Sequence, residues 1–182
     1  MTIITTAIAP ITTEENEDIA NKYTETGYAY YQLEQNEEAI AAYTTALDAQ
    51  PGYGTAIRGL GNVYYEHLED YDNALTWYEL AIKEDEENSK SIYYKLGWIY
   101  NDKEKYDDAI AMLKKAIEYD PEDAGAHEEI GYAYYMKGDT KDAIIQLKKA
   151  IELDPESKLG YYYLGLCYVD QREKSKAMDM YK

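Results

Sequence analysis

The sequence has one cysteine, no phenylalanine and half as many basic as acidic residues. The lone Cys167 excludes an internal disulfide and fits a reducing, cytoplasmic setting. No apolar run approaches the roughly 18 residues that a membrane-spanning helix needs. The opening "MTIITTAIAP" lacks the basic flank and long apolar stretch of a secretory signal. We therefore expect a cytoplasmic protein without membrane insertion.

Basic residues are especially scarce in the first half of the chain. The formal net charge is −18, and residues 1–89 hold only three of the 18 basic residues but half of the 36 acidic ones. Such a field repels phosphate backbones and anionic lipid, so nucleic acid and membrane surfaces are poor partners. A protein or peptide with basic residues is the favoured partner. The alternative is that the acidity only keeps the chain soluble.

What the chain does contain is a repeat. "GYAYYQLEQNEEAI" (27–40) returns nearly unchanged as "GYAYYMKGDTKDAI" (131–144). Five glycines, each followed three residues later by tyrosine, recur at spacings of 34 or 36 residues. Alanines recur twelve or thirteen residues after these glycines, where small side chains let two antiparallel helices approach closely. The glycines are Gly27, Gly61, Gly97, Gly131 and Gly165, and the alanines are Ala39, Ala74, Ala109, Ala143 and Ala177.

This pattern resembles the tetratricopeptide repeat (TPR), a helix–turn–helix unit of 34 residues. "YYKLGWIYNDKEKYDDAIAMLKKAIEYDP" (93–121) carries the likeness most fully, although tyrosine or leucine stands where the family usually has phenylalanine. The resemblance implies an all-α fold, a right-handed α-α superhelix or solenoid of tandem repeats. It covers nearly everything from Ala20 onwards, as four full repeats and a truncated fifth.

The repeat spacing predicts the boundaries of the units. They are a tail and helix lead-in at 1–19, then repeats at 20–53, 54–89, 90–123, 124–157 and 158–182. Thr12 or Thr13 with Glu15 could cap a helix that begins before the first repeat. Asp120-Pro121 and Asp154-Pro155 should end second helices, because the residue before proline is pushed out of the helical region.

The second repeat is irregular. It has an extra residue within "EHLEDYDN" (66–73), which we interpret as a tolerated loop insertion, the alternative being a change of curvature. It also has Glu86 where other repeats have proline, so its second helix is expected to run longer, until Asn88 or Ser89 caps the next helix.

No catalytic, cofactor or metal constellation emerges. "HEEIG" (127–131) has glycine where a zinc protease needs its second histidine, and "GLGNVY" (59–64) lacks the third glycine of a dinucleotide loop. "EDEEN" (84–88) lacks the alternating ligands and central glycine of a calcium loop. His127 fits a packing position, and Cys167 fits a buried structural thiol.

The resemblance instead implies a binding surface. In the family the first helices line a concave groove, and transferring its groove positions to this chain gives twenty residues, eight of them Tyr or Trp. Tyrosine offers a large contact area with a polar tip, which suits an extended peptide or a helix. The alternative is that these tyrosines support packing. The candidate binding residues are Tyr28, Tyr31, Arg58, Asn62, Tyr65, Tyr94, Trp98, Tyr132, Tyr135 and Tyr162.

One subclass of the family grips the C-terminal carboxylate of a chaperone. Arg58 and Asn62 resemble its first pair, but Lys95 stands where asparagine is needed, and Gly125 and Glu129 replace the final basic residues. An acidic side chain repels a carboxylate, so this chain is not such a clamp.

We therefore expect a non-catalytic scaffold for protein–protein interaction. Two alternatives stay open: a self-associating module that pairs through an open C-terminal repeat (Tyr161, Leu164, Tyr168, Tyr181), and a regulatory fragment of a larger enzyme or sensor.

Overall fold

The computed structural model describes residues 12–180, in which the backbone forms ten α-helices and no strand. Residues 1–11 of the predicted tail and helix lead-in (1–19), and Tyr181, therefore lie outside the described residues. The helices are α1 (Thr13–Gln32), α2 (Asn36–Ala49), α3 (Gly54–Asn62), α4 (Tyr71–Glu84), α5 (Ile92–Asp102), α6 (Tyr106–Tyr119), α7 (Ala124–Met136), α8 (Thr140–Leu153), α9 (Lys158–Asp170) and α10 (Lys174–Met180). A π-helical turn, Val63–His67, continues α3, and a 3₁₀ turn, Glu87–Ser89, precedes α5.

The helices pack as consecutive pairs: α1 with α2, α3 with α4, and so on to α9 with α10. They form two compact units, one ending at Asp85 and one starting at Glu86. In the first unit α3 contacts both α1 and α2, and in the second α7 contacts α5, α6 and α9. Stacking of first helix on first helix is the arrangement expected of a repeat that cannot bury its apolar face alone. The predicted fold class, an all-α solenoid of tandem helix–turn–helix units, is confirmed. The exact repeat boundaries stay a prediction.

The helix ends follow the signals in the sequence. Thr12 and Glu15 form a capping box: the Thr12 hydroxyl accepts from the Glu15 amide at 3.1 Å, and the Glu15 carboxylate accepts from the Thr12 amide at 2.7 Å. This confirms a helix that begins before the first repeat. Asp120 and Asp154 follow the last residues of α6 and α8 in non-helical conformations, as their prolines predict.

The repeated glycines mark where the two helices of a pair lie closest. A Cβ on Gly61 would lie 2.5 Å from the ring of Tyr78, and one on Gly131 would lie 2.6 Å from Leu147 Cγ. Tyr78 and Leu147 each follow a repeated alanine by four residues, one helical turn, and both are fully buried. The small residue on the first helix is therefore matched to a large one on the second.

The extra residue of the second repeat lies inside a helix, so its interpretation as a loop insertion is wrong. The turn between the two helices of each pair contains a residue with positive φ, and this residue follows the repeat glycine by eight positions at Glu69 but by seven at Glu34. The connections themselves are equally long, Leu33–Gln35 and Leu68–Asp70. The π-helical turn Val63–His67 takes up the difference, since a single π turn accommodates one added residue without breaking the helix.

The expected extension of the second helix in the second repeat is also wrong. α4 ends at Glu84 and has 14 residues, the same length as α2, α6 and α8. Asp85 takes a non-helical conformation (φ −154°, ψ 78°) without a following proline. The 3₁₀ turn then leads into α5, where Ser91 provides no side-chain cap.

The predicted open surface of the last repeat is largely closed. Leu164 and Tyr168 are buried in a cluster with Ala143, Leu147 and Cys167. Tyr161 is half-buried. The large apolar or aromatic side chains that this pair exposes are instead Leu159, Tyr162, Val169 and Met178.

Of the five turns that join the two helices of a pair, four place a residue other than glycine in the left-handed region: Glu34, Glu69, Glu104 and Arg172. Gly138 occupies the fifth (φ 83°). A side chain with a Cβ pays roughly 1–2 kcal/mol in this conformation, whereas glycine is nearly indifferent. We expect Glu104→Gly to stabilise the protein by about 0.5–1 kcal/mol, measured by urea unfolding.

Gly138→Ala is the matched control. A Cβ there meets nothing within 4 Å, so its expected cost of about 1 kcal/mol is backbone strain alone. If both substitutions left the free energy of unfolding unchanged, the left-handed strain assigned to this turn would be refuted.

Candidate functional site

All ten candidate residues lie on the first helix of a pair or on the π turn that continues it. Only two are exposed, Tyr28 (56%) and Tyr162 (48%). The other eight are half-buried, so they can contribute to packing and to a surface at once. The structure distributes them over several clefts.

In the first unit, a cleft of about 390 Å³ lies between α1 and α3. It brings together three of the candidates, Tyr28, Arg58 and Asn62. Asn62 accepts a hydrogen bond from the Tyr78 hydroxyl at 2.8 Å. The complete lining is Thr24, Glu25, Tyr28, Tyr43, Thr55, Arg58, Gly59 and Asn62.

Tyr31 and Tyr65, also candidates, serve packing within the first unit. The Tyr31 hydroxyl donates to the Glu66 carboxylate, and its ring stacks on that of His67 with centroids 4.5 Å apart. Burial and this hydrogen bond raise the pKa of Tyr31. The Tyr65 ring packs 6.1 Å from that of Tyr78. For these two residues the packing alternative describes the observed contacts.

In the second unit, three successive first helices enclose a smaller cleft of about 180 Å³, here called the acidic cleft. α5 contributes Trp98, Asn101 and Asp102, α7 contributes Glu128, Glu129 and Tyr132, and α9 contributes Leu159 and Tyr163. Two candidates, Trp98 and Tyr132, therefore meet here. The cleft combines three carboxylates with three aromatic rings, which suits a positively charged ligand group with an apolar stem.

Tyr163 joins the aromatic side chains of this region, and sequence reasoning missed it. Its ring centroid lies 5.0 Å from that of Tyr132, 6.0 Å from that of Tyr135 and 5.2 Å from that of Tyr162. The family groove positions select Tyr162, its neighbour in sequence. The signal available in the sequence was the run "YYY" at 161–163, but sequence alone does not tell which of the three rings turns toward the preceding repeat.

One carboxylate of the acidic cleft, that of the half-buried Glu129, is held by a buried asparagine. The Asn101 side-chain amide donates to the Glu129 carboxylate at 2.8 Å and to the Glu129 backbone carbonyl at 3.1 Å. Burial raises the pKa of Glu129, the hydrogen bond from Asn101 opposes that shift, and the charge of Glu128 adds to it. Burial likewise raises the pKa of Tyr132, to about 12. The cleft therefore holds negative charge that its own surroundings solvate poorly.

Tyr94 lines a different cleft, although it lies only one helical turn from Trp98 on α5. This third cleft, of about 420 Å³, is formed by Lys90, Ser91, Tyr94, Ala116, Tyr119, Asp120 and Asp123. The Lys90 ammonium lies 4.7 Å from the centre of the Tyr119 ring.

The rejected motifs find structural roles. His127 is buried, its Nε2 donates to the Pro121 carbonyl at 3.2 Å, and its Nδ1 lies 2.8 Å from the Gln146 side-chain amide. Cys167 is fully buried, and burial raises the pKa of its thiol to about 11, which disfavours a reactive thiolate. Within residues 12–180, no group of three His, Cys, Asp or Glu side chains is placed to hold a metal ion, and no helix is long and apolar enough to span a membrane.

Comparison with known proteins agrees with the helix–turn–helix repeat seen in the structure. The tetratricopeptide repeat family model matches residues 24–89 and 94–158. Tetratricopeptide repeat protein 21B of Mus musculus is 39% identical over 62 residues, which are 34% of this chain and 5% of that protein.

Among solved structures, YrrB, described as a TPR protein with an unusual peptide-binding site, superposes with a TM-score of 0.83 at 29% identity, covering 92% of this chain and 85% of YrrB. MamA of Desulfovibrio magneticus RS-1 superposes with a TM-score of 0.81 at 22% identity, covering 90% of this chain and 92% of that one. The MamA likeness bears on the fold alone.

Proposed function

Because the chain belongs to the tetratricopeptide repeat family, whose arrays are scaffolds for protein–protein interaction, we propose that its first-helix surface binds a peptide segment or helix of a partner protein. The observation that carries this proposal is the meeting of Trp98, Tyr132 and Tyr163 in one cleft with three carboxylates. Aromatic side chains supply large, rigid contact areas and are enriched among the residues that dominate binding energy. The peptide-binding site reported for YrrB supports the same use of this fold.

We further propose that the partner carries basic residues beside apolar anchors. The chain has a net charge of −18, and the acidic cleft places Asp102, Glu128 and Glu129 beside aromatic rings. Complementary charge speeds encounter and rejects acidic competitors. The function proposed is non-catalytic, and a cytoplasmic location fits the single buried cysteine.

A peptide pair tests this proposal. Two amphipathic peptides share the same leucine anchors, one with lysines and the other with glutamates at the intervening positions. Isothermal titration should show binding of the lysine peptide only. Its affinity should fall as ionic strength rises from about 0.1 M to about 1 M, where the screening length shrinks from roughly 10 Å to 3 Å.

Equal binding of the two peptides, or an affinity unchanged by salt, would contradict the basic partner. Absence of binding by both, together with light scattering that grows with protein concentration, would favour a second copy of the chain as the partner. Val169 and Met178, exposed in the last pair, are the side chains to change in that case.

A further inference from the structure

The acidic cleft contains carboxylates that lack a cation. Glu128 accepts a hydrogen bond from the Ser157 hydroxyl, and Glu129 accepts one from the Asn101 amide. Neither these two nor Asp102 forms an ion pair with a lysine or arginine within the described part of the chain. Charge that is partly removed from water is normally paired, so the half-buried carboxylates of Glu128 and Glu129 would be stabilised by a positively charged ligand group.

Asn101 provides an independent observation that points to a ligand, an acceptor atom without a hydrogen-bond donor. Its side chain is only 4% exposed, and its Oδ1 finds no hydrogen-bond donor among residues 12–180. Its amide nitrogen is already used by Glu129. Most buried polar groups have a partner. The orphaned acceptor belongs to a residue that lines the acidic cleft, so a ligand that enters with a hydrogen-bond donor can supply its partner.

The remaining walls favour an organic cation. Trp98, Tyr132 and Tyr163 present aromatic rings, which attract cations through their negative faces. Leu159 is 55% exposed at the rim, where it can contact an apolar stem. The described side chains do not form a metal-binding group. A primary ammonium has three donors and no acceptor, which matches a lining whose charged groups are all carboxylates, and it is more compact than a guanidinium.

We propose that the acidic cleft binds the ammonium group of a lysine side chain from the partner peptide. This inference rests on the proposed function, since it identifies which side chain of the peptide enters which cleft. Glu128, Glu129 and Asp102 supply the countercharge, Asn101 Oδ1 accepts a hydrogen bond, and Trp98, Tyr132 and Tyr163 enclose the stem.

The two tryptophans make the proposal testable with a small probe. Trp98 lines the cleft, whereas Trp77 packs against the core of the first unit. In ¹⁵N-labelled protein, titration with N-acetyl-lysine amide should shift the indole N–H resonance of Trp98 saturably and leave that of Trp77 in place. N-acetyl-norleucine amide, which has the same stem without the charge, should shift neither.

Substitutions of single carboxylates test whether the response at Trp98 depends on the acidic cleft or only on the negative charge of the protein. Glu129→Gln should weaken the response at Trp98 by about tenfold or more, because it removes one partner of a charge-assisted contact. Its thermal midpoint should not fall, since the substitution also removes a charge from a half-buried site, and an unchanged midpoint shows that loss of folding does not explain the result. Asp102→Asn at the exposed rim should weaken the response less. Glu118→Gln on α6 removes the same charge from an exposed site outside the cleft and should change nothing.

Three outcomes would overturn the proposal: equal shifts with the norleucine probe, an unchanged response in Glu129→Gln, or a stronger response to N-acetyl-arginine amide than to the lysine probe. The leucine–lysine peptide, which carries lysines between its leucine anchors, distinguishes failure of the proposed function from failure of the lysine cleft. If that peptide binds while the lysine amide leaves Trp98 unmoved, the proposed function stands and the lysine cleft is refuted. If the peptide fails to bind and Trp98 still responds, the lysine cleft stands and the wider groove is refuted.

Discussion

Replacing Gly131 by alanine is expected to destabilise the protein by about 2 kcal/mol. Helix propensity alone predicts the opposite, a gain of about 1 kcal/mol, because glycine is a poor helix former. The packing decides the sign. The new Cβ would lie 2.6 Å from Leu147 Cγ and 3.2 Å from the Leu147 backbone nitrogen, so both the side chain and the α8 backbone must move. Overpacking a filled core costs roughly 1–3 kcal/mol.

A control within the same helix isolates this effect. Gly125 lies in the first turn of α7, and a Cβ there would meet the Tyr94 hydroxyl and the Asp123 carboxylate at 3.3 Å, both ends of side chains that can move. Gly125→Ala should therefore change the free energy of unfolding by less than about 1 kcal/mol. Urea unfolding of both variants measures the difference.

A double-mutant cycle with Leu147→Ala tests the cause. Leu147→Ala alone should cost about 2–5 kcal/mol, as expected for a fully buried leucine. Combined with Gly131→Ala, the total should be clearly less than the sum, because the new methyl group enters space that Leu147 has left. Additive costs would show that Leu147 is not what excludes a side chain at position 131.

The repeat pattern was enough to predict the fold because it records contacts that recur in every unit. Gly61 faces Tyr78 and Gly131 faces Leu147. The same requirement, a residue without a side chain opposite a large one, therefore recurs in the sequence. The prolines after Asp120 and Asp154 fix helix ends by a local steric rule, which needs no knowledge of the rest of the molecule.

The irregular second repeat could not be predicted in the same way. An added residue can enter a loop or a helix, and the sequence count is the same in both cases. The choice depends on the contacts of the inserted turn, where His67 stacks on Tyr31 and its Nδ1 lies 2.7 Å from Asn36 Oδ1. Those contacts are tertiary, and they hold the π turn in place.

The candidate site shows a similar division. Family positions select side chains of the first helices, and two of these, Trp98 and Tyr132, meet in one cleft. They do not identify the tyrosines whose contacts lie within the fold, such as Tyr31, which donates to Glu66. They also do not identify a ring that its neighbours hold at a cleft, such as Tyr163, which packs on Tyr132. The role of Glu129 also changes with structure. In the sequence it argues against a carboxylate ligand, and in the structure its burial beside Asn101 argues for a cation.

Alanine at both Tyr94 and Trp98 is expected to weaken binding of the leucine–lysine peptide by more than about 2 kcal/mol, or roughly 30-fold in Kd. Each side chain lines its own cleft, Tyr94 beside Lys90 and Trp98 beside Glu129. A peptide that spans both clefts contacts the two aromatic side chains independently, so the single substitutions should be nearly additive. Isothermal titration of the two single variants and the double variant measures this.

Ile145→Ala provides the control for loss of apolar surface. Ile145 is 60% exposed on α8, the second helix of its pair, and its truncation should leave the Kd unchanged. Thermal unfolding of each variant separates loss of binding from loss of fold. If Trp98→Ala alone accounts for the whole effect, the peptide uses the acidic cleft and ends before Tyr94. If the double variant binds as the parent chain does, the aromatic side chains of α5 take no part in recognition, and the binding site belongs to the second helices or to the turns.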